Sequence, residues 1–200
     1  HGKEILVLAM CYTGAIEEGE RVTQPIRSYG KPLADVVAPQ PFVAWQTALD
    51  PLLAPGMRNY WKSHSFMRLE DGLLKVLEAG TRRLPDPQTD FVMIHLGGAV
   101  SRVASGATAY TQREVPFVMN VHGRWADPAQ DDDCIGWTRE FFKATQPFAT
   151  GGAYVNFLNQ DDDDRIQTVY GSNYARLAEL KRKMDPRNLF SMNHNIRPAS

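Results

Sequence analysis

The sequence predicts an α+β fold in which an antiparallel β-sheet carries helices mainly on one face. Two observations favour this class. Segments that read as strands do not alternate strictly with helices, as a parallel sheet would require. The runs at 91–96 and 117–125 each combine an apolar face with a mixed one, which is typical of a sheet covered on one side.

The individual elements follow from hydrophobic periodicity and from turn residues. Extended or strand-like runs are found at 5–10, 60–63, 91–96, 117–125 and 151–157. Helical spacing is found at 17–29, 41–53, 70–79 and 137–145, and in two helices after residue 161. Asp185-Pro186 ends the last helix, because proline disfavours helical geometry in the residue before it. The apolar run at 5–10 reads as a buried strand, so we expect a piece of a longer protein.

Composition excludes several classes of partner. With 43% hydrophobic residues, 22% charged residues and a net charge of −1, the chain can bury one substantial core and offers no basic surface for nucleic acid. We expect no membrane partner, because no apolar run is long enough to cross a bilayer. Cys11 and Cys134 lack metal-type spacing, which predicts two reduced, packed thiols and a cytoplasmic location.

Two strands carry polar side chains that could line a site. Alternation places Tyr154 and Asn156 on one face of the 151–157 run. Asn120, His122 and Arg124 share the mixed face of the 117–125 run, which must meet solvent or a cavity. A packed strand aromatic is the simpler interpretation of Tyr154 by alternation alone.

Other polar groups have simpler structural interpretations. His95, at a strand end, is either structural or part of the same pocket. The acidic runs 131–133 and 161–164 lack the calcium-loop pattern and are interpreted as solvated helix N-termini. We predict no metal site, since the histidines have no zinc spacing.

The C-terminal part of the sequence resembles the berberine-bridge-type FAD-linked oxidases. The motifs that carry the resemblance are ordered along the chain: Tyr154-Val155-Asn156, Tyr170-Gly171-Ser172-Asn173-Tyr174, Arg176-Leu177, Lys181, Asp185-Pro186, Asn188-Leu189-Phe190, and Asn193-His194-Asn195-Ile196-Arg197-Pro198. Further landmarks lie at 30–35, 61–63, 95–98 and 125–127. The resemblance thus covers nearly the whole chain. It implies a substrate-binding domain over 3–150 and a C-terminal segment over 151–200 that completes a flavin site.

The resemblance implies an FAD-dependent oxidoreductase that oxidises an alcohol or amine by hydride transfer to flavin, with oxygen as acceptor. The resemblance assigns a catalytic group of Tyr154, His122 and Asn120 and the flavin-contacting carboxamides Asn156, Asn193 and Asn195. The strand positions of His95 and Arg124 add two expected pocket residues. Where related plant enzymes have a lysine two residues before a glutamine, this sequence has Val118, which leaves His122 or Arg124 as substitutes.

The implied partners are a small-molecule substrate and an N-terminal FAD-binding domain that we expect to be missing from this chain. The chain alone is therefore expected to be inactive. The alternative is a stand-alone module on the same fold that binds a ligand, or dimerises through its sheet face, without flavin.

Overall fold

The computed structural model describes residues 5–53 and 55–200, and the chain divides at Pro55 into two compact units. The first unit contains α1 (Ile16–Arg27), α2 (Phe42–Thr47) and a 3-10 turn at Asp50–Leu52. None of its described residues is buried. The predicted strand at 5–10 is wrong, because this run is exposed and pairs with no described strand. Cys11 is likewise exposed rather than packed, while Cys134 is buried as predicted.

The second unit, Gly56–Ser200, is built on a three-stranded antiparallel sheet. Its strands are β1 (Arg58–Phe66), β2 (Asp90–His95) and β3 (Phe117–Trp125), and β3 lies between the other two. The predicted α+β class, with an antiparallel sheet and packed helices, is confirmed. The helices of this unit are α3 (Asp71–Thr81), α4 (Ala99–Arg102), α5 (Asp131–Thr145), α6 (Ile166–Tyr170) and α7 (Tyr174–Met184).

One face of the sheet is covered by α3 and α5. The core between sheet and helices contains Phe66, Leu73, Leu77, Met119, Val121 and Phe141. Helix α5 lies close to β3 at Gly123, where a Cβ would lie 2.6 Å from Thr138 Oγ1. A second cluster, formed by Ala153, Leu158, Ile166 and Val169, belongs to the C-terminal segment.

The outer edge of β1 is covered by residues 150–165. The Ser65 amide donates to the Gly152 carbonyl, and Thr150 N–H donates back to the Ser65 carbonyl. Farther along, Asn159 Nδ2 and Arg165 Nη2 donate to the carbonyls of Trp61 and Ser63. The segment thus satisfies strand groups that would otherwise be unpaired.

The predicted strand at 151–157 is wrong. After the two bonds at Ser65 the chain turns, and Val155–Phe157 forms a 3-10 helix. Gly151, at φ 85°, takes a left-handed conformation that a side chain rarely adopts, so the approach to β1 is a turn rather than a paired strand. The end of α7 was predicted correctly: Asp185 follows Met184, pairs with Lys181 and accepts the Leu189 and Phe190 amides.

None of the helices within 5–53 and 55–200 combines the length and the apolar composition that crossing a membrane requires.

Candidate functional site

Asn120, His122 and Arg124 share the face of β3 that α3 and α5 do not cover. The register fixes this placement, because the intervening residues Val121 and Gly123 face the helices. Across the sheet, His122 lies opposite Trp61 of β1 and Asp90 of β2. The predicted common face is therefore present, and it gains neighbours that the sequence did not reveal.

His122 is held between Asn59 and Asp90. Its Nε2 lies 3.1 Å from Asn59 Oδ1, and its Nδ1 lies 3.9 Å from Asp90 Oδ1. Trp61 stands edge-on to the imidazole at a centroid distance of 6.4 Å. Burial lowers the pKa of His122, and the nearby Arg124 charge acts in the same direction while Asp90 opposes it. The imidazole is thus neutral at pH 7.

Asn120 and Ser63 are direct register partners on the same face, the one opposite α3 and α5. Asn120 Oδ1 and Ser63 Oγ are both buried, and neither has a hydrogen-bond partner among the described residues. Arg124, two residues beyond His122, is only 6% exposed. Val118, where related enzymes carry lysine, is buried between Ser65 and Ile94.

Tyr154 and Asn156 contact each other, although the strand that was to align them does not form. Asn156 Nδ2 donates a hydrogen bond of 2.8 Å to Tyr154 Oη. The turn at Val155–Phe157 brings the two side chains together, and Phe157 packs edge-on against the Tyr154 ring at 5.2 Å. Because Oη accepts this bond, its own proton is not used in it.

Tyr110 lies close to Tyr154, and Arg113 in turn contacts Tyr110; sequence reasoning gave neither residue a role. The Tyr110 ring is edge-on to Tyr154 at 5.9 Å, and the Arg113 guanidinium lies 4.9 Å from the Tyr110 centroid. Burial raises the pKa of Tyr110. The loop that precedes β3 reaches this position because Gln112 Nε2 donates to the Ala153 carbonyl.

His95 lies on the other face of the sheet from Asn120 and His122. It pairs with Phe117 in the register, and the two rings are 5.1 Å apart. The expectation that His95 shares their pocket therefore does not match its position. Alternation within its own strand gave the direction relative to Phe91 and Met93 correctly, but the relation to another strand depends on register.

The two carboxamides of the tail occupy different surroundings. Asn193 is exposed and left-handed at φ 59°, and its carbonyl accepts the Asn195 amide, so the predicted extended alternation is absent. Asn195 lines a groove of about 350 Å³. The other lining residues are Asp163, Asp164, Ile166, Gln167, Tyr174 and Arg197.

The acidic run at 161–164 is only partly solvated, which corrects the earlier interpretation. Asp161 pairs with Lys62 and Arg139, and Asp162, which is 2% exposed, pairs with Lys62 and Arg165. Hydrogen bonds from Lys62 and Tyr60 hold the pKa of Asp161 at about 2 despite its partial burial. Within 5–53 and 55–200, no three metal-ligating side chains come together as a metal site.

The chain is similar in sequence to known FAD-linked oxidoreductases. Residues 153–197 match the family described as "Berberine and berberine like". An uncharacterized FAD-linked oxidoreductase of Bacillus subtilis is 33% identical over 112 residues, covering 56% of this chain and 25% of the relative. An FAD-linked oxidoreductase of Dictyostelium discoideum is 26% identical over 199 residues, covering 98% of this chain and 43% of the relative.

Among solved structures, CrmK is similar in fold. CrmK is a flavoenzyme involved in the shunt product recycling mechanism in caerulomycin biosynthesis. The match has a TM-score of 0.66 and 27% identity, and covers 73% of this chain and 33% of that chain. The chain thus spans 25% to 43% of the length of these two curated relatives.

Proposed function

We propose that this chain, whose residues 153–197 match the berberine-like family, forms the substrate side of an FAD-dependent active site that oxidises an alcohol or amine. The observation that carries the proposal is the contact between Asn156 Nδ2 and Tyr154 Oη, within the segment that matches the family. A bound FAD supplies the hydride acceptor in this chemistry, and oxygen is the proposed final electron acceptor.

Tyr154 is the proposed base. As the substrate's C–H bond breaks, Oη in its ionised form accepts the proton of the substrate hydroxyl or amino group. The hydrogen bond donated by Asn156 stabilises negative charge on that oxygen. The edge contacts with Tyr110 and Phe157 fix the orientation of the ring, as proton transfer requires.

The position of one carboxamide of the tail, Asn195, supports the proposed contact with a flavin. Asn195 lines a groove together with Tyr174 and Arg197, and its Oδ1 is buried without a partner among the described residues. These three side chains offer hydrogen-bond donors and acceptors beside an aromatic ring, which suits the flat ring system and the ribityl chain of a flavin. Asn195, Asn193 and Asn156 are the residues of this chain proposed to contact FAD, most of which an additional domain would bind.

On the sheet, Asn120 and His122 are proposed to orient the substrate, and Arg124 supplies a fixed positive charge beside them. The neutral His122 is suited to hydrogen bonding rather than to charge pairing. The proposed substrate class is an alcohol or amine on a sugar, alkaloid or polyketide-like scaffold. His95, on the opposite face, has no part in this arrangement.

The proposal is tested by visible absorbance and FAD titration of the 200-residue chain and of the full-length gene product. We expect only the full-length protein to be yellow. Tyr154→Phe should then slow flavin reduction by about a hundredfold or more while FAD stays bound, as expected for loss of a general base. Tyr170→Phe is the matched control and should leave the rate unchanged.

If the natural protein consists of these 200 residues and binds no flavin, the oxidase proposal fails and the ligand-binding or dimerisation module replaces it. Normal flavin reduction in Tyr154→Phe would remove the base assignment alone.

A further inference from the structure

The loop between α4 and β3 contains Tyr110, which lies beside Tyr154. Residues 103–116 form neither a helix nor a strand. Within 104–113, the described backbone-to-backbone hydrogen bonds are local, from Ala107 to Ala104 and from Arg113 to Thr111. Bonds this local do not fix where a loop lies on the molecule. Its position therefore depends on contacts with other parts of the chain.

Asn173 donates two hydrogen bonds to this loop. It is the last residue of a 3-10 turn between α6 and α7. Its Nδ2 lies 2.8 Å from the Ser105 carbonyl oxygen and 2.7 Å from the Thr108 carbonyl oxygen. Asn173 is only 9% exposed, so water competes little for these bonds. A single carboxamide thus uses both of its N–H groups to hold the loop.

Three longer hydrogen bonds also attach the loop to the C-terminal segment. Arg176 donates to the Gly106 carbonyl at 3.4 Å, Thr111 to the Val169 carbonyl at 3.2 Å, and Gln112 to the Ala153 carbonyl at 3.4 Å. The two bonds from Asn173 are shorter than any of these. We therefore expect loss of Asn173 to loosen the loop without releasing it.

Arg113 connects the anchored part of the loop to Tyr110. Its Nη2 donates to Thr108 Oγ1 at 2.7 Å, so the residue that accepts a bond from Asn173 also accepts one from Arg113. The Arg113 guanidinium lies 4.9 Å from the centre of the Tyr110 ring, within the range of a cation–π contact. The Tyr110 ring is edge-on to Tyr154 at 5.9 Å. Contacts thus run without a gap from Asn173 to Tyr154.

Tyr154 lies between two edge-on rings, those of Tyr110 and Phe157. Phe157 ends the 3-10 turn that directly follows Tyr154, whereas Tyr110 comes from a separate part of the chain. Proton transfer requires the accepting oxygen to be held close to its target, and a displacement of about 1 Å costs about a hundredfold in rate. The position of the loop therefore matters for the proposed proton transfer to Tyr154.

We propose that Asn173 is a positioning residue for the Tyr154 base, because it holds the loop that keeps Tyr110 against the Tyr154 ring. This inference rests on the proposed function, which gives Tyr154 its role. It deepens that function by assigning a part in catalysis to a residue that acts through a loop rather than on the substrate.

The first test needs no oxidase activity. NMR of the 200-residue chain with labelled tyrosine and phenylalanine rings should show a nuclear Overhauser cross-peak between Tyr110 and Tyr154. Asn173→Ala should remove or weaken this cross-peak and keep the one between Tyr154 and Phe157. Asn159→Ala is the matched control, since it deletes a carboxamide that donates to the Trp61 carbonyl of β1 instead, and should preserve both. A Tyr110–Tyr154 cross-peak of normal intensity in Asn173→Ala overturns the proposal.

A second variant tests the route through the loop. Arg113→Met keeps an unbranched side chain but removes the guanidinium, and should weaken the same cross-peak. Because the two residues act on one contact, the double variant should weaken it no more than the stronger of the single variants. Additive losses would show that Asn173 does not act through Arg113 and would contradict the proposed chain of contacts.

The third test measures flavin reduction in the full-length enzyme at saturating substrate. Asn173→Ala should slow it about tenfold, less than the loss for a full displacement because the three longer bonds remain. KM should stay within about twofold, because a misplaced base weakens the transition state rather than substrate binding. A purely structural role of Asn173 would lower the melting temperature and leave this rate unchanged, and that result contradicts the inference.

The two proposals fail in distinguishable ways. If Tyr154→Phe slows flavin reduction while Asn173→Ala keeps both the cross-peak and the rate, only the inference falls. If Tyr154→Phe reduces flavin normally, the base assignment falls, and the NMR test still decides whether Asn173 holds Tyr110 against Tyr154.

Discussion

Burial gives Asp162 a structural role that an exposed aspartate of the same acidic run does not have. Its carboxylate lies 3.1 Å from Lys62 Nζ and 3.2 Å from Arg165 Nη1, and it accepts the Asn159 amide at 2.9 Å. In sequence it is one of four consecutive aspartates. Nothing in that run distinguishes it from Asp163, which is exposed, because the difference depends on β1 lying alongside.

Replacing Asp162 with alanine should lower the free energy of unfolding by about 3 kcal/mol, since it leaves buried cations with fewer partners. The expected loss is at the lower end for a buried pair because Asp161 still contacts Lys62. Urea unfolding measures it. Asp163→Ala is the matched control and should stay within about 0.5 kcal/mol. Equal effects of the two variants would contradict the structural role.

His64 gives the fold a pH dependence of predictable sign. Its ring stacks on Phe142 at 3.9 Å, and burial lowers its pKa from 6.5 to about 4. As the pH falls below 6.5 the unfolded chain binds a proton that the folded chain does not bind until about pH 4. Stability is therefore complete above pH 6.5 and should decrease by about 3 kcal/mol as the pH falls through this window.

The measurement is a series of urea midpoints between pH 7.5 and 4.5 for wild type and His64→Phe. The difference between the two curves isolates this histidine, because other titrating groups are common to both. Parallel curves would show that His64 titrates normally in the folded chain.

Among the secondary-structure elements, the close contact between α5 and β3 depends on a glycine in β3. Gly123 lies under the helix, with Thr138 Oγ1 at 2.6 Å and the Tyr60 carbonyl at 3.0 Å from a built Cβ. A methyl group there must displace the helix or the strand, since neither backbone is free to move far in a packed core.

Gly123→Ala should therefore cost about 2 kcal/mol of stability through overpacking. Gly136→Ala, on α5 with nothing within 4 Å of its Cβ, is the matched control and should stabilise by up to about 1 kcal/mol through helix propensity. Thermal or urea unfolding distinguishes the two signs. A neutral Gly123→Ala would mean that α5 does not pack as closely as described.

Elements whose sequence gives them one apolar face and one polar or mixed face were predictable from the sequence. β2 and β3 appear where alternation placed them, α3 lies within two residues of its predicted bounds, and α7 ends where predicted. The runs at 5–10 and 151–157 failed because β-like composition cannot report whether a pairing strand is available. At 151–157 the chain does approach β1, but it turns after Gly152 and forms a 3-10 helix at Val155–Phe157.

Across the whole chain, buried residues are concentrated after Pro55. Both hydrophobic clusters, and every buried residue among those described, belong to Gly56–Ser200. The described part of the first unit presents exposed apolar side chains instead, among them Leu6, Leu33 and Val36. These described side chains are therefore not packed into a core of their own.

A variant consisting of residues 56–200 should unfold in a single cooperative transition, because both hydrophobic clusters lie within it. Urea denaturation followed by tryptophan fluorescence provides the comparison. Residues 1–55 alone should show no cooperative transition. A broad, non-cooperative transition of the 56–200 variant would contradict this expectation.

Only some residues of the candidate site could be predicted from the sequence, because the others come together through the strand register and the path of a loop. Motif resemblance selected Tyr154, Asn156, Asn120 and His122, and alternation placed the last two on one face. The neighbours Asn59, Asp90, Tyr110 and Arg113 were missed because each reaches the site from another strand or loop. Only the register and the path of the loop before β3 bring them there.

The residues that cover the edge of β1 come much later in the sequence, so this edge stays exposed while the protein is being translated. Its last bonds join Ser65 to Thr150 and Ser63 to Arg165, which are separated by 85 and 102 residues. At a translation rate of about 5–20 residues per second, β1 leaves the ribosome roughly 5–20 s before its cover does. Throughout that interval a strand edge is open on the nascent chain, and this is when chaperone binding would protect it from pairing with another polypeptide.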